Sequence, residues 1–155
     1  MLKSKDTDMP AIARKTSGMR MNSIAPCGMN CFLCRALRPD KKTIRTCPGC
    51  RSDGEGKPEY CQRCIIKNCE KMEKGGFKYC FSCDIYPCTR LKNLDKRYRT
   101  RYGMSMLENL ESIKKNGIRY FIRTEKNKWI CPECGETLIV HKSHCLKCGY
   151  EWLKQ

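Results

Sequence analysis

Four short stretches decide how this chain folds: CGMNCFLC at 27–34, CPGC at 47–50, CQRCIIKNC at 61–69 and CFSCDIYPC at 80–88. They hold eleven of its fifteen cysteines: Cys27, Cys31, Cys34, Cys47, Cys50, Cys61, Cys64, Cys69, Cys80, Cys83 and Cys88. Packing does not call for so many thiols in so short a segment. The residues between the first two clusters have almost no apolar periodicity, so burial alone cannot offset the entropy of ordering them. Cross-links must do so, and those are disulfides or metal ions. The opening residues contain no apolar run suited to a secretory signal, and no stretch is suited to span a membrane. The expectation is therefore a cytoplasmic protein with reduced thiols. The cysteine count is also odd, so disulfides cannot pair them all. Metal ligation is the expected role of the fifteen.

The spacings give the local reading. Pro48 and Gly49 suit a tight knuckle aiming Cys47 and Cys50 at one ion. The pattern C-x2-C-x4-C occurs twice, at Cys61, Cys64, Cys69 and at Cys80, Cys83, Cys88. Between them CIIKNCEKMEKGG reads as a helix with Ile65, Cys69 and Met72 on one face and Gly75 at its end. Cys31 to Leu37 suits the start of another short helix. Eleven ligands do not divide by four, so two closed sites leave three thiols over. Those three either hold a metal with an open or non-cysteine position, or are small buried hydrophobes.

Beyond this segment the chain closes with CPECGETLIVHKSHCLKCGYEW. Cys131, Cys134, Cys145 and Cys148 form C-x2-C-x10-C-x2-C, each pair followed by a glycine, Gly135 or Gly149. This is the pattern of a zinc ribbon with one tetrahedral ion, and residues 136–141 suit a strand within it. His141 and His144 are not needed as ligands, because four cysteines already close the site.

Three helices are expected between. PCTRLKNLDKRYRTRYG has a thin apolar stripe of Leu91, Leu94 and Tyr98 among Arg90, Lys92, Lys96, Arg97, Arg99 and Arg101. It reads either as a phosphate-facing helix with Tyr98 and Tyr102 as stacking groups or as a solvated surface helix. SMLENLESIKKNG has Ser105 and Glu108 as a capping box, a face of Leu107, Leu110 and Ile113, and Gly117 as its stop. IRYFIRTEKNKW continues as a second helix with Ile118, Phe121 and Ile122 inward, making a packing hairpin.

The formal charge of +16 points to a polyanionic partner. Ligating thiolates weaken that argument, since four divalent ions on all fifteen would bring the charge down to about +9. Some chemistry is disfavoured. GEGK at Gly54 lacks the upstream glycine and trailing hydroxyl of a phosphate-binding loop. Cys27, Cys31 and Cys34 match the cluster spacing of radical S-adenosylmethionine enzymes, but no alternating strands and helices follow to build their barrel. Iron–sulfur remains the alternative to zinc in the central region, although the bacterial ferredoxin run is absent.

From CGMNCFLC through CPGCR, CQRCIIKNC and FKYCFSCDIYPC to SMLENLESIKKNG, the chain resembles a cysteine-rich domain-of-unknown-function family, number 3795, of archaea and anaerobic bacteria. The resemblance covers about residues 22 to 130 and implies a cytoplasmic metal-binding protein without implying a reaction. In many members a CPxCG ribbon follows.

The expected fold is a small metal-stapled α+β protein. Residues 1–22 form a mobile tail. Residues 23–126 form an irregular zinc-knuckle core with short helices and a helical hairpin, and residues 127–155 a β zinc ribbon. The expected function is that of a zinc protein with several, mainly structural ions. It would act as a binding or adaptor module for nucleic acid or another protein. The alternative is a redox or hydrolytic enzyme using an iron–sulfur or open zinc centre at Cys27, Cys31 and Cys34.

Overall fold

A computed structural model describes residues 18–38 and 46–153. Residues 1–17 of the expected tail lie outside that range. Met19 lies inside it, and it is buried at 2% exposure.

The helices follow the apolar spacing. Glu59–Gln62 (α1) and Glu70–Gly75 (α2) are short. Thr89–Tyr102 (α3), Met106–Asn116 (α4) and Ile118–Lys128 (α5) are the longer ones. They pack in series, α3 on α4 and α4 on α5. Leu91, Leu110, Ile113, Phe121 and Ile122 are buried, as their helical spacing requires. Gly103 ends α3 in the left-handed conformation with φ 63°. Gly117 links α4 to α5 with φ 84°, so the hairpin turns on a single glycine.

The helix expected over CIIKNCEKMEKGG is shorter than its sequence suggests. Cys69 is extended and serves as the N-cap of α2, so residues 65–68 form a turn before the helix begins. That turn buries Ile66 and leaves Ile65 exposed. The clusters CFLC and CFSC fold alike. Cys31–Leu33 and Cys80–Ser82 are 3₁₀ turns, closed by Cys34 N–H to Cys31 O at 3.0 Å and Cys83 N–H to Cys80 O at 3.1 Å.

Polar side chains join the parts. Asp95, 1% exposed, accepts from the Ser105 hydroxyl at 2.6 Å and the Leu107 N–H at 3.1 Å, and pairs with Arg99. Ser105 in turn accepts from the Glu108 N–H at 3.1 Å. Ser105 thus caps α4, which is the first half of the expected capping box, and a carboxylate from α3 reinforces it. Buried Asn30 caps the Cys31 turn by accepting from Phe32 N–H at 3.2 Å and donates to Glu125 of α5 at 3.2 Å. Gly28 sits so close to α4 that a Cβ would lie 2.8 Å from Met106 O, and its φ is 88°. No side chain fits there.

The C-terminal unit shares this core. Val140, fully buried, donates its N–H to Leu33 O at 2.9 Å, and Arg38 pairs with Glu136 at 3.4 Å. His141 meets Tyr98 of α3, Nε2 to hydroxyl at 2.9 Å, and Tyr102 packs edge-on against its ring. The strand expected over 136–141 does not form. The Leu138 N–H goes to Trp129 O and the Val140 N–H to Leu33 O, so no single ladder can run through both. Among the described residues the only β-pairing is isolated bridges, two of them here: Ile130 with Thr137 and His144 with Glu151.

Two outcomes test this packing. Burial raises Asp95, but Ser105, Arg99 and the Leu107 N–H outweigh it and hold the carboxyl below its ordinary range. Asp95→Ala should cost at least about 2 kcal/mol in denaturant unfolding, because the Ser105 hydroxyl and the Leu107 N–H both lose their acceptor, at about 1 kcal/mol or more each. An unchanged midpoint would refute the role.

Burial, aided by Arg35, lowers His141 from 6.5 to about 4. The unfolded chain then binds the extra proton between those values, so stability falls as pH drops through that window. The dependence of melting temperature on pH between them should be shallower in His141→Gln than in the wild type.

A candidate metal centre of four cysteines

The C-terminal cysteines sit on two knuckles of the same construction. Cys131 N–H reaches Glu136 O and Cys145 N–H reaches Tyr150 O, both at 2.8 Å. Gly135 N–H returns to Cys131 O and Gly149 N–H to Cys145 O, both at 2.9 Å. Both glycines have positive φ, 68° and 78°, which explains the glycine after each C-x2-C pair. Facing each other, the knuckles bring all four sulfurs within 4.8 Å of one another. Cys131 and Cys148 are 3.5 Å apart, Cys134 and Cys145 3.6 Å. Four thiolates bound at about 2.3 Å to a tetrahedral ion stand roughly 3.8 Å apart. The donor set therefore fits a four-coordinate metal ion.

The thiols act on one another as a crowd of like charges. For Cys145, burial raises the pKa, but N–H groups of Cys148 and Lys147 and the neighbouring thiols bring it down to about 7. For Cys148 a Tyr150 N–H lowers the value, while burial and the other three sulfurs push it up to about 12. The first thiolate forms readily and the last does not. A divalent cation at the centre removes that opposition.

The eleven central cysteines are placed differently. No disulfide joins any of the fifteen. Among the described residues, the four C-terminal cysteines are the group with ligand atoms all within 4.8 Å of one another. Cys27, Cys31, Cys47 and Cys80 are buried and the other seven half-buried. Cys31 pairs with Cys50, whose thiol that contact and burial both raise. Burial raises Cys34, with Cys47 and Cys50 adding to it. Cys61 is pushed to about 11 by burial and by Cys50, Cys34, Cys47 and Cys64. Cys69, Cys80, Cys83 and Cys88 line a separate cavity. The sulfurs of Cys27, Cys31 and Cys34 are not all within 4.8 Å of one another, and each of the three has Cys50 as a neighbour.

Arg51 was not singled out by its spacing, yet it ties the knuckles together. It donates to Ile24 O and Lys78 O, each at 2.7 Å, and stacks on Tyr79. Its place beside Cys50 in CPGCR is the only trace of that role in the sequence. Lys57, the lysine of GEGK, is buried with its ammonium on Cys50 O at 3.3 Å, so it is spent on the backbone.

These features define a small, cysteine-rich, helical protein with a four-cysteine cluster able to hold a metal ion. Residues 23–93 match the family described as "Protein of unknown function (DUF3795)". The match begins before the first cysteine cluster and ends within α3, so α4, α5 and the C-terminal cysteines lie outside it. No curated protein and no solved structure matches the chain. No helix among the described residues is long and apolar enough to cross a membrane.

Trp129 and Trp152 bracket the four cysteines in sequence and pack edge-on on each other with ring centroids 5.3 Å apart, so intrinsic fluorescence is a probe of this unit. Chelation should red-shift the emission as buried Trp129 meets water. Cys145→Ser should show the shifted spectrum without chelator and hold one metal equivalent less per chain. Identical spectra and metal content in wild type and variant would remove the site.

Proposed function

We propose that this protein is a zinc-binding module whose ions are structural and whose basic helix α3 engages nucleic acid. What supports zinc is the set of two glycine-closed knuckles with only thiolates as donors. What supports a polyanion is the surface of α3. Lys92, Lys96, Arg97 and Arg101 are exposed, and among the described residues none forms an ion pair. Arg99 is drawn to Asp95, and Arg90 reaches Ile65 O at 3.4 Å, so these two are partly committed.

Tyr98 and Tyr102 are half-buried against His141, which leaves them to packing rather than to base stacking. Recognition would then be directed at phosphates. It would depend strongly on salt and little on sequence. This is the behaviour of an adaptor that positions itself on a nucleic acid rather than one that reads it. A protein partner with an acidic face is the other occupant such a helix suits.

Fluorescence anisotropy with a short duplex and a short single strand tests the reading. With about four phosphates neutralised, log Kd should change with log salt by on the order of 3 to 4 on duplex. The triple variant Lys96→Glu, Arg97→Glu, Arg101→Glu should bind at least about tenfold more weakly at low salt while keeping its metal. Negligible binding at low salt, or no effect of the triple variant, would sink the nucleic-acid reading.

A further inference from the structure

Four cysteines line one small cavity: Cys69, from the CQRCIIKNC stretch, and Cys80, Cys83 and Cys88, from CFSCDIYPC. Local structure accounts for each. Cys69 is the N-cap of α2 and Cys88 the N-cap of α3, and neither caps its helix through its side chain. Cys80 opens the 3₁₀ turn of CFSC and Cys83 closes it. Two helix starts and one knuckle therefore converge. The repeat in the sequence would have grouped Cys69 with Cys61 and Cys64. The fold assigns it to the other knuckle.

The cavity is about 30 Å³, the room of a single atom rather than of an organic molecule. Its remaining walls include Ile66 and Leu91, both buried. A water molecule held there would need two to four hydrogen-bonding partners. Tyr86 and Arg90 also line it, but their polar ends are engaged elsewhere, the Tyr86 hydroxyl on Glu111 at 3.1 Å and the Arg90 guanidinium on Ile65 O at 3.4 Å. The other walls offer sulfur and hydrocarbon, which suit a thiophilic cation instead. Burial pushes the Cys80 thiol up to about 12, and Cys88, Cys69 and Cys83 are the next contributors in that order. Those same three thiols share its cavity. The N-terminus of the fourteen-residue α3 starts at Cys88 and favours net negative charge beside it.

We propose that Cys69, Cys80, Cys83 and Cys88 form a second tetrathiolate site, separate from the C-terminal one, for a soft divalent cation such as zinc. The proposal rests on the reading of the central thiols as metal ligands and gives four of them a common ion. Their sulfurs do not stand within 4.8 Å of one another as those of the C-terminal group do. Binding therefore includes χ1 rotation of the cysteines into the cavity, a change between staggered rotamers. It leaves seven central thiols around Cys50, enough for one closed site and three over.

Cadmium-113 NMR on the full chain loaded with cadmium decides the connectivity. One cadmium resonance should correlate with the Hβ protons of all four residues. If they correlate with different ions, or if cadmium sits on other central thiols and not on these, the site is wrong while the general metal reading stands. If no cadmium couples to any of the eleven, both fail. Elemental analysis adds a second readout. Cys83→Ser should lose one equivalent of metal per chain, and Cys83→Ser with Cys145→Ser should lose two. Unchanged metal in Cys83→Ser would overturn the assignment, whatever happens at Cys145.

Discussion

Four sulfurs within 4.8 Å of one another cannot all carry a charge unless a cation sits among them. Two unit charges at 4 Å repel by about 4 kcal/mol at an effective dielectric of about 20. Four such charges make six pairs, so the fully ionised, cation-free cluster is out of reach near neutral pH. Protons relieve the crowding only by keeping some sulfurs neutral. The closed arrangement and the charge of its ligands are therefore one problem. The consequence extends past the cluster, because the C-terminal unit meets the rest of the chain at Leu33, Arg38 and Tyr98. Opening the knuckles would withdraw Val140 and His141 from those contacts.

A second constraint acts in the helical part, and it is polar rather than apolar. Asp95, Asn30 and Glu125 are buried, and each bonds across elements. Burial raises Glu125, and its bond from Asn30 opposes that. Such groups contribute modest net stability when paired and cost much more when a partner is removed. They fix which helix sits against which. Apolar stripes as thin as that of α3 cannot do this alone, since several rotations of the helix would bury them about equally. Asp95 selects one by reaching the start of α4, and Asn30 selects one for α5.

Much of this was legible in the sequence, for physical reasons that also mark where legibility ends. α3, α4 and α5 could be read because their spacing, caps and stop glycines are local properties of the backbone. The four C-terminal cysteines could be read because a glycine after C-x2-C is a local requirement of the knuckle. Asp95 could not, because its partners lie ten and twelve residues on, across a turn. The start of α2 was missed because Cys69 looks like a face residue by periodicity but acts as a cap. The strand over 136–141 was over-read. Its apolar residues are indeed buried, but their N–H groups serve two different neighbours, and pattern does not show where hydrogen bonds go. The match over residues 23–93 agrees with the resemblance over the cysteine clusters but stops short of the SMLENLESIKKNG helix to which that resemblance extends, and the C-terminal cysteines also lie beyond it.

The basic helix is the element least able to stand alone. Its like charges repel at i,i+4 spacing, Lys92 with Lys96 and Arg97 with Arg101, and its apolar stripe is only Leu91, Leu94, Tyr98 and Tyr102. A fourteen-residue helix of that kind is marginal in water by itself. Here it is held at both ends by thiol-rich structure. Cys88 occupies the N-cap position at its start, and His141 of the C-terminal unit packs on Tyr98 and Tyr102 in its last turns. The exposed cations between those two anchors keep fixed spacings and a fixed direction. If the metals are structural, holding α3 in this way is a concrete thing for them to do. Loss of either anchor would not remove a single positive charge. It would change how the charges are presented, and so would weaken binding to a polyanion without touching a residue that contacts it.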